Sequence, residues 1–298
     1  MREPLPVRTP YDGRAMLEYW GRDPQDAVDV VLDGAYLRVV ELGANRAALA
    51  LRPAEREIRI EVAAWARRST ARDRAAVRSV AAHMAGADLD LAAFARAVSG
   101  DPVMSALERR FRGVKVPQTP QPFDALLWAI LGQQISTVFA HALKRRISTT
   151  FAEPIVVRGR PRYSLPTPQR LATLDLEALC AIGTTRAKSR AIVEAARAAA
   201  SGGLDFAELA GLETEGVIER LCRLRGVGRW TAEYVAMRGL ARTDSLPAAD
   251  VALQRAAGIA YGTRFAGVEG LRRLGKRWRG WESYGTFYLW RSLSKPAG

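Results

Sequence analysis

The 298-residue sequence is poor in the residues that hold metals or form disulfide frameworks, with two cysteines and two histidines. Cys180 and Cys222 are too few for a disulfide network, and neither stands at a metal-ligand spacing from His83 or His141. The sequence also lacks any run of about 18 apolar residues and any apolar signal core at its start. These absences exclude a disulfide scaffold and a regularly spaced metal site. They predict a reduced cytoplasmic protein, neither exported nor anchored.

Lysine is scarce too, because only five of the 45 basic residues are Lys and the others are Arg. The formal net charge is +14 and the pI is about 10.5. A biased genome composition is an alternative explanation for this Arg content, so the position of the charge matters. From Arg225 to the C-terminus there are 13 basic and 5 acidic residues, an excess of eight. A local excess of this kind favours a face that binds a polyanion, most often nucleic acid.

The apolar pattern changes along the chain. Residues 27–61 contain four short β-type runs separated by Gly, Asn and Pro, which predicts a small antiparallel sheet. From Ala63 onward, apolar residues recur at helical spacing. The clearest helical stretches lie around 72–84, 90–98, 102–112, 122–150 and 168–201. Two proline-containing segments, 112–122 and 153–168, are predicted as irregular connections. The predicted fold class is therefore α+β, mainly α.

The segment Leu221–Met237, LCRLRGVGRWTAEYVAM, predicts a helix-hairpin-helix around Gly226-Val227-Gly228. Glycines adopt torsions closed to other residues and let amide groups approach a ligand. The helix that begins near Trp230 offers free N–H groups and a positive dipole end to a DNA phosphate. A lone Gly-x-Gly often only turns the chain. Here the flanking pattern L-x-x-L-R-G-V-G-R-W-T-A-x-Y is complete, and Pro-Ala-Ala-Asp follows about twenty residues later.

That second element, LPAADVALQR, places Asp250 immediately before a helical run. The simpler interpretation is an N-cap, which is a common use of Asp. The dipole at this end of a helix also favours a charged carboxylate, and such a group suits a reaction that builds positive charge on a sugar. With the hairpin upstream, Asp250 is predicted to be the catalytic carboxylate.

The hairpin and downstream Asp resemble the signature of the helix-hairpin-helix glycosylase superfamily, and within it the AlkA-type 3-methyladenine DNA glycosylase II family. The resemblance also rests on PYDGRAMLEYW, PFDALLWAILGQQIS, PTPQRLATLDLEALCAIG and KRWRGWESYGTFYLW. It implies an N-terminal sheet domain over 1–98 and a two-lobed helical body over 99–298. One lobe would comprise 122–242, and the other 99–121 together with 243–298, with Asp250 in the cleft.

Further site residues are implied by the same resemblance. The base pocket would contain Trp230, Tyr234, Trp290 and Tyr19. Gln133 and Gln134 would lie in the loop that enters DNA, where the familiar wedge residue is a leucine. Arg291 stands where a second aromatic is usual, so pocket selectivity and opposite-base preference stay open. Core packing is the alternative for any aromatic, and it is the interpretation adopted for Trp128, Trp278 and Trp281.

The hairpin residues expected at a DNA phosphate are Gly226, Val227, Gly228, Arg229 and Thr231. A surface arginine such as Arg229 is also often only solvated. Relatives hold a monovalent cation at carbonyls that correspond to Cys222 and Leu224. Relatives with lyase activity carry a Schiff-base lysine where Trp230 stands, and relatives with an iron–sulfur cluster carry four cysteines near the C-terminus. Neither feature is present here, so neither lyase activity nor a cofactor is expected.

The resemblance thus implies a monofunctional glycosylase that flips alkylated bases such as 3-methyladenine and 7-methylguanine out of double-stranded DNA. It would act as a monomer in the cytoplasm, associated with the nucleoid. Two alternatives stay open. The first is a glycosylase for deaminated or oxidised bases, whose neutral lesions call for specific hydrogen-bond partners. The second is a non-catalytic helix-hairpin-helix sensor of damaged DNA.

Overall fold

The computed structural model describes residues 1–263 and 267–293. Its strands are β1 Arg2–Pro6, β2 Val30–Leu32, β3 Ala35–Leu42, β4 Asn45–Pro53, β5 Glu57–Trp65, β6 Ile155–Val157 and β7 Arg160–Arg162. Its first helices are α1 Gly13–Trp20, α2 Ala71–Ala85, α3 Leu91–Ala97, α4 Pro102–Arg110, α5 Pro122–Gly132, α6 Thr137–Phe151, α7 Pro168–Ala172 and α8 Leu176–Ala181. The later helices are α9 Arg186–Ala200, α10 Phe206–Ala210, α11 Thr214–Cys222, α12 Arg229–Gly239, α13 Val251–Tyr261, α14 Gly267–Gly275 and α15 Glu282–Ser292. None of the helices in these ranges is long and apolar enough to cross a membrane.

Five strands form an antiparallel sheet in the order β1-β5-β4-β3-β2. Strands β2 to β5 occupy the runs predicted within 27–61, and the α+β, mainly α, class is confirmed. β1 and α1 lie outside the predicted runs. β1 contains two prolines, Pro4 and Pro6, which a sheet tolerates only at an edge, and β1 is an edge strand.

The expectation that 153–168 is irregular is wrong in its first half, because β6 and β7 pair as a hairpin. Arg158 and Gly159 form its turn with φ of 50° and 73°, a left-handed pair that matches the twist of hairpin strands. Ile155 and Val157 pack in one apolar cluster with residues of β3 and β4. Strands of three residues gain stability only from such a contact, which the local pattern does not reveal.

Two apolar cores underlie the body. One fills the lobe that runs from α5 to α12. The other extends from the sheet through α2 to α4 into α13 to α15, and includes Leu49, Phe94 and Trp278. The N-terminal sheet and the second lobe therefore share one core, and packing does not break at the predicted boundary of residue 98. Trp290 packs against both cores, which places it where the two lobes meet.

A buried ionic cluster joins the N-terminal sheet to the first lobe. Arg38 on β3 donates to Asp124 on α5 at 2.8 Å and to Asp29 at 2.5 Å. Lys144 on α6 donates to Asp26 at 2.7 Å and also to Asp29. Burial raises the pKa of Asp29, but Arg38 and Lys144 outweigh burial and hold that pKa well below its usual range. The cluster fixes α5 and α6, which flank the loop that contains Gln133 and Gln134.

Candidate active site

The predicted hairpin joins α11 to α12 through residues 223–228. Gly226 has φ of 76°, and a Cβ there would lie 2.7 Å from the Cβ of Ala191, so both torsion and space require glycine. Gly228 caps α12 in an extended conformation without any side-chain hydrogen bond to the helix start. The first N–H groups of α12 thus have no intrahelical acceptor and no capping side chain, and they form a surface suited to a phosphate oxygen.

The side chains of the hairpin differ from what the sequence suggests. Arg229 pairs with both carboxylate oxygens of Glu215 at 2.6 and 2.7 Å and with Glu233 at 2.9 Å. Its guanidinium is therefore engaged by carboxylates, and a phosphate would have to displace them. Thr231 is only 2% exposed and Val227 is also buried, and the Val227 N–H already donates to the Leu224 carbonyl at 3.1 Å, so of these two residues only Thr231 can offer a backbone N–H group to a phosphate.

Two arginines that the sequence analysis did not single out supply free positive charge at the hairpin. Arg223 and Arg225 are exposed, and neither forms an ion pair within the described ranges. They stand on either side of Leu224, directly before Gly226. The local charge excess, counted from Arg225 onward, is a sequence signal for Arg225 but does not include Arg223.

Asp250 caps α13, and its carboxylate also receives two indole N–H groups. Oδ1 accepts from Leu253 N at 2.7 Å and from Trp290 Nε1 at 3.1 Å, and Oδ2 accepts from Trp230 Nε1 at 3.1 Å. The capping interpretation is therefore correct as a description of the helix end, and it leaves room for chemistry because capping uses one of the two oxygens. The two tryptophans therefore fix the orientation of the carboxylate.

Three of the four predicted pocket aromatics form a continuous row. The ring centroids of Trp230 and Tyr234 are 5.8 Å apart, and those of Tyr234 and Trp290 are 6.4 Å apart. Burial raises the pKa of the Tyr234 hydroxyl. Trp128, expected in the core, is only partly buried and lies 4.9 Å from the His141 ring. Trp230 and Trp290 are also only partly buried, so both keep surface available to a base.

Tyr19 is connected to this row through Arg238, a residue absent from the sequence prediction. Arg238 donates to the Tyr19 hydroxyl at 2.8 Å, and its guanidinium lies 5.5 Å from the Tyr19 ring and 5.8 Å from the Tyr234 ring. Arg22 stacks on Tyr19 at 4.2 Å. Burial raises the pKa of Tyr19, but Arg22 and Arg238 outweigh it and the net shift is downward. This end of the site therefore carries hydrogen-bond donors and positive charge.

The two glutamines of the predicted DNA-entering loop differ in their contacts. Gln133 Nε2 donates to the Gly226 carbonyl at 2.9 Å and to Thr231 Oγ1 at 3.0 Å. Its amide therefore ties the loop to the hairpin. Gln134 is exposed and has φ of 55°, a left-handed conformation that is uncommon for a residue with a side chain. Gln134 is thus the exposed residue of the pair, whereas Gln133 is held against the hairpin; insertion of either into DNA stays a prediction.

The implied cation site lies at the C-terminal end of α11. The carbonyls there carry partial negative charge and have no intrahelical donor. The Leu224 carbonyl accepts from Val227 N at 3.1 Å and keeps a second lone pair, and the Cys222 carbonyl belongs to the last helical residue. Oxygen ligands of this kind fit a monovalent cation.

A second group of potential ligands lies beside α6. Ligand atoms of Asp23, Asp26 and His141 lie within 4.8 Å of one another. Lys144 already donates to Asp26 at 2.7 Å, so an ammonium group supplies the positive charge there.

Arg291, whose effect on the pocket was left open, lies with its guanidinium 5.7 Å from the centroid of the Phe111 ring.

A helix-hairpin-helix with an uncapped helix start, next to a row of aromatic rings and an oriented carboxylate, defines a DNA-binding protein of the helix-hairpin-helix class. Comparison with known proteins agrees. The family model for the HhH-GPD superfamily base excision DNA repair protein matches residues 127–279, and the model for the AlkA N-terminal domain matches residues 3–121.

Individual proteins are similar over much of the chain. The DNA-3-methyladenine glycosylase of Bacillus subtilis is 35% identical over 207 residues, which cover 69% of this chain and 68% of that protein. DNA-3-methyladenine glycosylase 2 of Escherichia coli is 29% identical over 94% of each chain. The solved structure of the 3-methyladenine DNA-glycosylase from Archaeoglobus fulgidus has a TM-score of 0.86 at 26% identity, covering 98% of this chain and 99% of that one. The chain belongs to the HhH-GPD superfamily of base excision DNA repair proteins and carries an AlkA N-terminal domain, which confirms the predicted resemblance.

Proposed function

We propose that this protein is a monofunctional DNA glycosylase that flips alkylated bases out of duplex DNA and hydrolyses their N-glycosidic bonds. The observation that carries the proposal is the Asp250 carboxylate, held by the indole N–H groups of Trp230 and Trp290 at the edge of an aromatic cleft. Phosphate binding by a hairpin needs neither the carboxylate nor the tryptophans. The arrangement therefore supports catalysis over a purely DNA-sensing role.

The mechanism follows from the charge of the substrate. A 3-methyladenine or 7-methylguanine base is cationic and leaves readily, so the enzyme needs no general acid. The partly buried faces of Trp230 and Trp290 attract such a base by stacking and cation–π contact, worth roughly 0.5–2 kcal/mol each. As the bond breaks, positive charge develops on the sugar, and the oriented Asp250 carboxylate stabilises it. Water then attacks the sugar.

The proposal extends to what the protein does not do. Trp230 occupies the position of a lyase lysine, two residues after Gly228, so no amine stands there to form a Schiff base and nick the strand. We expect no iron–sulfur cluster or other cofactor, apart from a monovalent cation at the Cys222 and Leu224 carbonyls. We further expect a monomer that acts on damaged double-stranded DNA in the cytoplasm, with the nucleoid.

The direct test is release of free base from methylated duplex DNA by the wild-type protein and by Asp250→Asn. We expect release by wild type alone, without strand nicking in the absence of alkali or heat. DNA affinity should be nearly equal in the two proteins, because the carboxylate acts in the transition state. Equal loss of affinity and excision in Asp250→Asn would contradict this role. Spontaneous nicking would contradict the monofunctional assignment.

A second candidate function has one observation in its favour. Neutral deaminated or oxidised bases require specific hydrogen-bond donors, and Arg238 together with the Tyr19 hydroxyl places donors at one end of the aromatic row. Release of hypoxanthine or an oxidised purine at a higher kcat/KM than 7-methylguanine would favour this alternative. Tight binding without release of any of these bases would favour the non-catalytic sensor.

A further inference from the structure

One exposed carboxylate is paired with the arginine at the start of the second hairpin helix. Glu215 lies on α11, and its two carboxylate oxygens accept from Nη1 and Nη2 of Arg229 at 2.6 and 2.7 Å. Arg229 is the first residue of α12, so it belongs to the same turn as the free N–H groups of that helix start. Carboxylate and phosphate groups both pair with a guanidinium through two parallel hydrogen bonds. Glu215 therefore presents to Arg229 what a DNA phosphate would present.

The two carboxylates that hold Arg229 differ in exposure. The Glu215 side chain is 57% exposed, whereas that of Glu233 is only 2% exposed and also accepts from Arg272 on α14 at 2.7 Å. Glu233 accepts from Nε of Arg229 at 2.9 Å, which leaves the edge with both Nη groups to Glu215. A phosphate at that edge would therefore need to replace Glu215 alone. Glu233 would stay in place and keep Arg229 oriented.

The exchange of Glu215 for a phosphate is nearly balanced in free energy. An ion pair this exposed is weak, because water screens both charges. A phosphate at the same edge gains a similar charge-assisted contact and also releases a counterion from the DNA. The hydrogen bond from Arg229 lowers the pKa of Glu215, so its carboxylate is charged at neutral pH and competes fully. DNA can therefore displace Glu215, but part of the binding free energy is lost in doing so.

We infer that Glu215 is an internal competitor of DNA, which occupies the Nη edge of Arg229 until a backbone phosphate replaces it. Glu215 thereby lowers the affinity of the hairpin for damaged and undamaged DNA alike, since a phosphate contact carries no base information. The net charge of +14 attracts the chain to any DNA, and a competitor at the hairpin limits such binding. The inference rests on the proposed function only for DNA as the ligand of the hairpin, and not on base release.

The test is the affinity of wild type, Glu215→Gln, Arg229→Gln and the double variant for an undamaged DNA duplex. We expect Glu215→Gln to bind about three- to tenfold more tightly than wild type at low salt, as for one added phosphate contact. Glu215→Ala, which has no side-chain acceptor for Arg229, should gain at least as much. In the Arg229→Gln background, Glu215→Gln should change the affinity by less than about twofold. Equal gains in both backgrounds would overturn the inference, because the gain would then come from long-range charge alone.

Glu177→Gln is the matched control. Glu177 on α8 pairs with Arg186, the first residue of α9, at 2.9 Å, and both side chains are 67% exposed. This pair repeats the arrangement of Glu215 and Arg229, but the start of α9 is capped by the Thr185 side chain. Glu177→Gln removes the same charge and should bind DNA within about twofold of wild type. A gain equal to that of Glu215→Gln would also overturn the inference.

The salt dependence of binding separates competition from a structural role. In wild type, each phosphate bound at Arg229 frees one carboxylate, so the slope of log Kd against log salt should steepen in Glu215→Gln by up to about 0.9. An unchanged slope would contradict the exchange. Weaker DNA binding by Glu215→Gln would mean that the ion pair holds the hairpin in its binding conformation, which would contradict competition as well. Failure of base release from methylated duplex DNA, with these binding results intact, would count against the proposed function alone.

Discussion

The substitution Asp250→Asn has a structural consequence beyond the loss of charge. In the wild-type protein, Oδ1 accepts from Leu253 N and Trp290 Nε1, and Oδ2 accepts from Trp230 Nε1. Asparagine has a single side-chain oxygen, which keeps more hydrogen bonds if it stands in the Oδ1 position. Its NH2 group then faces the indole N–H of Trp230, and two donors oppose each other about 3 Å apart.

The magnitude follows from the lost acceptor. An unsatisfied buried donor costs about 1–3 kcal/mol, and the partial exposure of Trp230 puts the expected loss near 1 kcal/mol. This corresponds to a fall of roughly 2–4 °C in the melting temperature of a chain of this size. Trp230→Phe removes the same N–H group. In that background the asparagine opposes no donor, so the double variant should be more stable than additivity predicts by about 1 kcal/mol.

The assay is a double-mutant cycle of wild type, Asp250→Asn, Trp230→Phe and the double variant, followed by denaturant unfolding. Base release from methylated duplex DNA is measured on the same four proteins. Both Asp250→Asn proteins should lose excision, because a neutral amide cannot oppose the positive charge on the sugar. If the changes in the free energy of unfolding of the two single variants sum to that of the double variant within about 0.3 kcal/mol, the proposed hydrogen-bond arrangement is refuted. Wild-type excision in Asp250→Asn would refute its catalytic role.

Three other substitutions probe strain and buried ionisable groups. Gln134→Gly should raise the free energy of unfolding by about 1 kcal/mol, because glycine adopts the left-handed backbone conformation of this position without strain. The same substitution should slow excision from duplex DNA. A free energy of unfolding equal to or below that of wild type would contradict the strain. Burial raises the pKa of Glu282 to about 7, so its stabilising contribution is complete below about pH 4.5 and is lost as pH rises through 7. Glu282→Gln should therefore match wild type near pH 4.5 and exceed it at pH 8 by about 1 kcal/mol, allowing for solvent screening. Burial lowers the pKa of Lys115 to about 8. Between about pH 8 and about pH 10 the unfolded chain therefore binds more protons than the folded chain, so the free energy of unfolding rises with pH. In Lys115→Met, urea unfolding should show less of this rise, and an unchanged pH slope would contradict the assignment.

Local pattern predicted two backbone features that the structure shows. The turn at Gly226 and the N-cap position of Asp250 are local properties of the sequence, whereas the close approach of Ala191 to Gly226 depends on the packing of α9 and does not follow from spacing. The base-pocket aromatics required the family resemblance, because a tryptophan at helical spacing is equally suited to a core. Trp278, fully buried, and Trp230, partly exposed, illustrate both outcomes.

The contacts that sequence could not assign are those between residues distant in the chain. Gln133 reaches Gly226, 93 positions away, and Arg238 reaches Tyr19, 219 positions away. No periodicity encodes such pairings. Only one of the two ion pairs of Arg229 is readable from the sequence. Its pair with Glu233 has the i,i+4 spacing of a helix, whereas its pair with Glu215 depends on how α11 packs on α12.

The two indole hydrogen bonds to Asp250 come from helices of different lobes, which links the geometry of the carboxylate to that of the lobes. Trp230 belongs to the first lobe, whereas Trp290 belongs to α15 of the second and packs against both cores. A change in the angle between the lobes would lengthen at least one of the two indole hydrogen bonds. The carboxylate therefore accepts both indole hydrogen bonds only when the two lobes are in this relative position, which is called their register here. DNA that holds the lobes in this register would also orient the carboxylate that we propose to be catalytic.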